Sequence, residues 1–76
     1  MNNNRRKKLS DIIASLESAQ ELLEELRDEE QECLDNMPES LQGSGKYSIG
    51  EEAIENMESA IDSINDVIDY VESAMA

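Results

Sequence analysis

The 76 residues contain no histidine and one cysteine, Cys33. Without an imidazole there is no Ser-His or Cys-His nucleophile pair and no histidine general base. The Glu-x-x-His ligand sets of helical di-metal sites are excluded as well. Cys33 lies among Glu30, Glu32 and Asp35, and no basic neighbour supports a thiolate nucleophile. Its place on an apolar row predicts a buried, reduced thiol instead. Gly43-Ser44-Gly45-Lys46 shares glycines and a lysine with phosphate loops. It lacks the earlier glycine, the hydroxyl residue after the lysine and the preceding strand that such a loop needs. Glu51 and Glu52 would also repel a phosphate from the helix start behind it. The segment is therefore read as a flexible turn, with Lys46, Tyr47 and Ser48 as a patch for a partner or small ligand. Glu55, Glu58 and Asp62 project from one side of a helix, partly overlapped by Asp66 and Asp69. A straight helix cannot wrap six or more oxygens round calcium, and no EF-hand spacing is present. No catalytic residue, cofactor or metal site is expected, which points to a non-enzymatic protein.

The acids themselves are the strongest chemical signal. Nineteen Asp and Glu oppose six Lys and Arg, a formal charge of −13. Arg5, Arg6, Lys7 and Lys8 hold four of the six bases, so from Leu9 onward the net is −17. Such a surface repels nucleic acid and anionic membrane and attracts basic partners or cations. Neither direct nucleic-acid binding nor membrane binding is expected. Eighteen acids fall on the two helices proposed below. On a hairpin about 40 Å long that is one per roughly 2.2 Å, against one per about 1.7 Å in duplex DNA. A rigid acidic rod of that density can act as a nucleic-acid mimic.

The elements that carry these charges follow from hydrophobic spacing. Ile54, Met57, Ile61, Ile64, Ile68, Val71 and Met75 recur at intervals of three and four. They form a heptad seam with Ile54, Ile61 and Ile68 at a and Met57, Ile64 and Val71 at d. Ala53, Ala60, Val67 and Ala74 at g widen the stripe toward bundle packing. The other face carries Glu51, Glu55, Glu58, Asp62, Asp66, Asp69 and Glu72 and no base. Upstream, Leu9, Ile12, Leu16, Ala19, Leu23, Leu26, Cys33 and Met37 keep the same alternation, interrupted by Glu30 at an a position. Ile13 and Leu34 extend this row on the e side and Leu22 on the g side.

These patterns predict a helix over 9–36, a connector over 37–49 and a helix over 50–76, forming one all-α domain. Residues 1–8 are expected to be a basic arm, since positive charge at a helix start opposes the macrodipole. Pro38 ends the first helix. Pro38 to Leu41 fits one helical turn, with Leu41 tucked onto the bundle end. Ser48 and Glu51 fit a capping box at the start of the second helix. A connector of about a dozen residues is longer than the roughly 2–8 that two antiparallel helices need, a hint of function, and the helices are expected to fold back as an antiparallel hairpin. Burying each large aliphatic contributes roughly 1.5–3 kcal/mol, which ordering costs of about 1.5 kcal/mol per residue nearly cancel. The hairpin is thus expected to pair with a second copy as a dimeric four-helix bundle or coiled coil. The oligomer seam would be Ile54, Met57, Ile61, Ile64, Ile68 and Val71 with Leu16, Leu23 and Leu26. The lack of an apolar span or secretory core segment predicts a soluble, cytoplasmic protein.

The run Asp35-Asn36-Met37-Pro38-Glu39-Ser40-Leu41-Gln42, followed by Glu52-Ala53-Ile54-Glu55-Asn56-Met57-Glu58, resembles a group of short acidic helical proteins of bacteriophages, prophages and their hosts. The Asn-Met-Pro-Glu turn is the most specific part of the likeness. The resemblance implies a phage context, in which small helical proteins bind and block a host protein. The expected function is therefore an inhibitor of a host defence or nucleic-acid enzyme that engages a basic-surfaced host protein. Its contact residues would be Glu51, Glu55, Glu58, Asp62, Asp66, Asp69 and Glu72, with Lys46 and Tyr47 from the connector. Two alternatives stand beside it: a coiled-coil adaptor or assembly factor working through the aliphatic seam, and a nucleotide sponge with sites between subunits.

Overall fold

Asn2 opens the first helix, its Oδ1 accepting a hydrogen bond of 2.8 Å from the Arg5 backbone N–H. The computed structural model describes all residues 1–76 as α1 (Asn3–Asp35), α2 (Glu39–Gln42) and α3 (Gly45–Met75). The cap satisfies one of the free donors of the first turn, so the basic segment forms the opening turns of α1. The helix starts at Asn3, where Leu9 was expected. Arg6 gives a second reason: its Nε donates to the Met75 carbonyl at 3.0 Å. That contact sets a cation on the negative end of the α3 dipole and ties the two ends of the hairpin together.

α1 stops before Pro38, as the ring requires. Residues 39–42 make the expected helical turn, but Leu41 stays 47% exposed and does not tuck onto the bundle end. α2 is a single turn with little surface beneath it to cover that side chain. α3 begins at Gly45, with Ser44 as its cap residue, so the box of Ser48 and Glu51 is not used and the connector is shorter than expected. Nothing in Lys46 to Ile49 resists helical geometry, and extending the helix over them satisfies their backbone groups.

α1 and α3 pack antiparallel along nearly their whole length. The Cα trace spans 60 × 14 × 12 Å with a radius of gyration of 17.4 Å, against about 11 Å for a compact chain of this length. The molecule is a rod two helices wide, and only four residues are buried: Leu34, Gly50, Ile54 and Ile61. The α3 side of the contact is the expected one, with Ile54 and Ile61 inward and Met57, Ile64, Ile68, Val71 and Met75 half-buried. The α1 side corrects the expected phase. Its covered row is Leu9, Ile13, Leu16, Gln20, Leu23, Arg27, Glu30 and Leu34, the a and e positions. Ile12, Leu26 and Cys33 at d lie outside it, and Cys33 is exposed rather than buried.

Two contacts fix that phase. Gln20 Nε2 donates to the Ile61 carbonyl at 3.1 Å and to Asn65 Oδ1 at 2.8 Å, which pins the register at mid-length. Near the connector, Leu34, 2% exposed, fills the space left by the missing side chain of Gly50. A Cβ there would sit 2.6 Å from Leu34 Cδ2 and 2.8 Å from Glu30 Oε1. Glu30, the polar interruption in the row, thus lies against backbone that offers no bulk. No helix is long and apolar enough to cross a membrane.

Candidate functional site

The α1–α3 contact divides the rod into two long edges of opposite character. On one edge stand the e and b positions of α3: Glu51, Glu55, Glu58, Asp62, Asp69 and Glu72, with Asp66 at f just beyond. All seven are exposed. They recur at intervals of three and four for almost the whole helix, so they make one continuous acidic strip. Glu17 and Glu24 of α1 flank it from the other helix. None of these acids is in an ion pair. The one salt bridge in the molecule joins Arg27 to its neighbour Asp28 at 3.2 Å, an exposed contact worth little. No three acids, with or without Cys33, converge into a group that could hold a metal ion.

Near the connector the strip meets a shallow depression of about 200 Å³ lined by Gln31, Leu34, Tyr47, Glu51, Ile54 and Glu55. Leu34 and Ile54 make an apolar floor, while Glu51 and Glu55 supply the charge. Tyr47 belongs to this wall and sits within the first turns of α3, half-buried. Lys46 precedes it, exposed, in the same helix and does not line the depression. The two residues read as a loop patch are therefore separated by helical geometry. The arrangement suits an extended cation such as a lysine or arginine side chain, whose stem packs on aliphatic floor while its head meets carboxylates.

The other edge is apolar. Ile12, Leu22 and Leu26 of α1 are 45–55% exposed, and on α3 Val67 is 43%, Ile49 69% and Tyr70 77% exposed. On α3 the positions Ile49, Ala53, Ala60, Val67, Tyr70 and Ala74 form a second row at heptad spacing, beside the first. Leu16 and Leu23 of the predicted seam face α3, whereas Leu26 belongs to this outer row. The α3 part of the row was legible as small g residues. Ile49 and Tyr70 at c, and Gln20 at e of α1, carried no signal strong enough to single them out.

The charge density also changes with the longer helices. Eighteen acids over a 60 Å rod come to one per about 3.3 Å, half the axial density of duplex DNA. Two rods side by side would reach about 1.7 Å per charge, the duplex value. Compared with protein-family models, curated proteins and solved structures, the chain matches none.

Proposed function

We propose that this chain is a non-enzymatic binding protein whose acidic strip engages a basic surface on another protein. The observation that supports this is the unpaired strip itself: seven exposed carboxylates in one line on α3, none neutralised within the chain. Acids placed only for solubility need no alignment, and both signs interspersed serve that purpose as well. Aligned charge of one sign steers and orients a partner of the other sign. The depression beside Glu51 and Glu55 gives one basic side chain of that partner a fixed seat. The turn sequence Asn36-Met37-Pro38-Glu39, with its resemblance to small phage proteins, supports the narrower form. In that form the partner is a host defence or nucleic-acid enzyme in the cytoplasm, and the rod occupies its nucleic-acid groove as an inhibitor.

The hairpin does this as a homodimer, a four-helix bundle. The exposed apolar edge supports that pairing, because a hairpin with four buried residues has little core of its own. The same edge supports a second reading, a coiled-coil adaptor whose apolar row meets another helical protein.

Capture from a bacterial lysate, at low and at high salt, separates the two. A basic protein held at low salt and released at high salt is the expected result. Replacing Glu51, Glu55, Glu58 and Glu72 by Gln and Asp62, Asp66 and Asp69 by Asn should abolish that capture while leaving the helical spectrum intact. Capture that survives these amides overturns the acidic-strip reading. Capture that survives them and is lost on Val67→Glu favours the adaptor.

A further inference from the structure

We infer that the second copy docks on the apolar edge head to tail, so that the basic end of each hairpin lies beside the acidic connector end of the other. This deepens the homodimer reading above and rests on it; what is added is the face and the orientation.

The area fits a second copy. From Ile12 to Cys33 the outer row of α1 runs about 32 Å, and two helices side by side are about 20 Å wide. The edge thus presents roughly 640 Å² in projection, near the ~800 Å² per partner of a stable protein–protein interface. Its width is that of one more hairpin.

Charge decides the orientation. The open half of the rod, residues 1–19 and 65–76, carries four bases against five acids, a net of −1. The connector half, residues 20–64, carries two bases against fourteen acids, a net of −12. Two copies aligned the same way set −12 beside −12. Head to tail, each −12 lies beside −1. Because screening removes contributions beyond about 8–10 Å, adjacent halves dominate. The product of facing charges then falls to about one-sixth of its value in the aligned pair.

The outer rows are also compatible with that orientation. Gln20 reaches Ile61 and Asn65, which puts Ala19 of α1 level with the gap between Ala60 and Val67 of α3. A two-fold axis crossing there sets Ile12 opposite the partner's Leu26, and Val67 opposite the partner's Ala60. Lys8 then stands across from the partner's Glu29. These aliphatic pairs meet along the middle of the edge, Tyr70 falls level with the partner's Asn56, and the basic segment finds an acid at each end. An axis along the rod also joins apolar residues, Ala19 meeting the partner's Val67, but it sets the like-charged ends together, so charge selects the crossed axis.

The test is a distance measured across the dimer. Asp35 lies on the side of α1 away from the apolar edge and is exposed, so a spin label at Asp35→Cys in a Cys33→Ser background leaves the interface free. Light scattering should give twice the 8.5 kDa chain mass. Dipolar spectroscopy should place the two labels at least about 48 Å apart head to tail, since each lies 16 residues from the axis at about 1.5 Å per residue, against only the width of the bundle for aligned copies. A dimer with the short distance overturns the orientation and leaves the pairing intact. A monomer at every concentration and salt overturns both. Val67→Glu should remove the dimer at concentrations where the unsubstituted chain is dimeric, and lower the Tm with it, since Val67 lies outside the α1–α3 contact and acts only through the pairing. A dimer that persists in that variant overturns the choice of face.

Discussion

Alanine at Gly50 should destabilise the hairpin, although it stands mid-helix, where the exchange ordinarily helps. Gly to Ala in a helix interior gains about 0.5–1 kcal/mol from the restricted unfolded chain and the better propensity. At Gly50 the new methyl would sit 2.6 Å from Leu34 Cδ2 and 3.2 Å from Leu34 Cγ. The Glu30 carboxylate, 2.8 Å away, can swing clear toward solvent. Leu34 is 2% exposed and must leave its rotamer or push the helices apart, at about 1–3 kcal/mol. The net expectation is a loss of about 1 kcal/mol, seen as a Tm lower by roughly 4–8 °C in a chain of this size. Gly45→Ala is the control, because its Cβ meets nothing within 4 Å and should raise Tm slightly. Thermal melts followed by circular dichroism, at one protein concentration, give both numbers. Adding Leu34→Ala to Gly50→Ala should cost less than the two separate losses combined, since the methyl then enters the space that leucine vacated. A Gly50→Ala hairpin as stable as Gly45→Ala, or strict additivity with Leu34→Ala, would refute close packing of α1 on α3 at this point.

Three further outcomes follow from contacts described above. Gln20→Ala removes both mid-length hydrogen bonds and should cost about 0.5–1.5 kcal/mol in urea unfolding; an unchanged midpoint would mean that the register is set elsewhere. Asn2→Ala should cost about 1 kcal/mol and speed amide hydrogen exchange in the first turn of α1, with exchange around Leu34 unaffected. Raising salt from about 0.05 to 0.5 M should increase Tm, because a chain at −13 with one ion pair has far more repulsion than attraction to screen. A falling Tm would point to a stabilising network of ion pairs.

The hairpin and the inner row of α3 were legible because Ile54, Ile61 and Ile68 leave one phase open to that helix. α1 was ambiguous for a physical reason. Its a residues Leu9, Leu16 and Leu23 have apolar neighbours on both sides, Ile12 and Leu26 at d and Ile13 and Leu34 at e. Either pair completes a three-four alternation. The choice between them is made by Gly50, which admits Leu34, and by Gln20, which finds Ile61 and Asn65. Both are contacts between residues far apart in sequence, outside the reach of local spacing. The acidic strip was legible residue by residue, since exposure of carboxylates on an amphipathic helix needs no tertiary information. The depression beside it was not, because it needs Tyr47 in a helix that was expected to start later.

All four buried residues, Leu34, Gly50, Ile54 and Ile61, lie in the connector half of the rod. The open half is held by half-buried aliphatics and the single hydrogen bond from Arg6 to the Met75 carbonyl. Free energy is therefore distributed like that of a pair of tweezers, stiff at the pivot and weak at the tips. Separation of the tips as far as Gln20 breaks no part of the core and is the lowest-cost opening this fold has. Such an opening would bare the inner aliphatic row beside the basic turns while leaving the acid-rich pivot intact. A partner that reads charge meets a rigid template at one end, and one that reads aliphatic surface finds it on loan at the other.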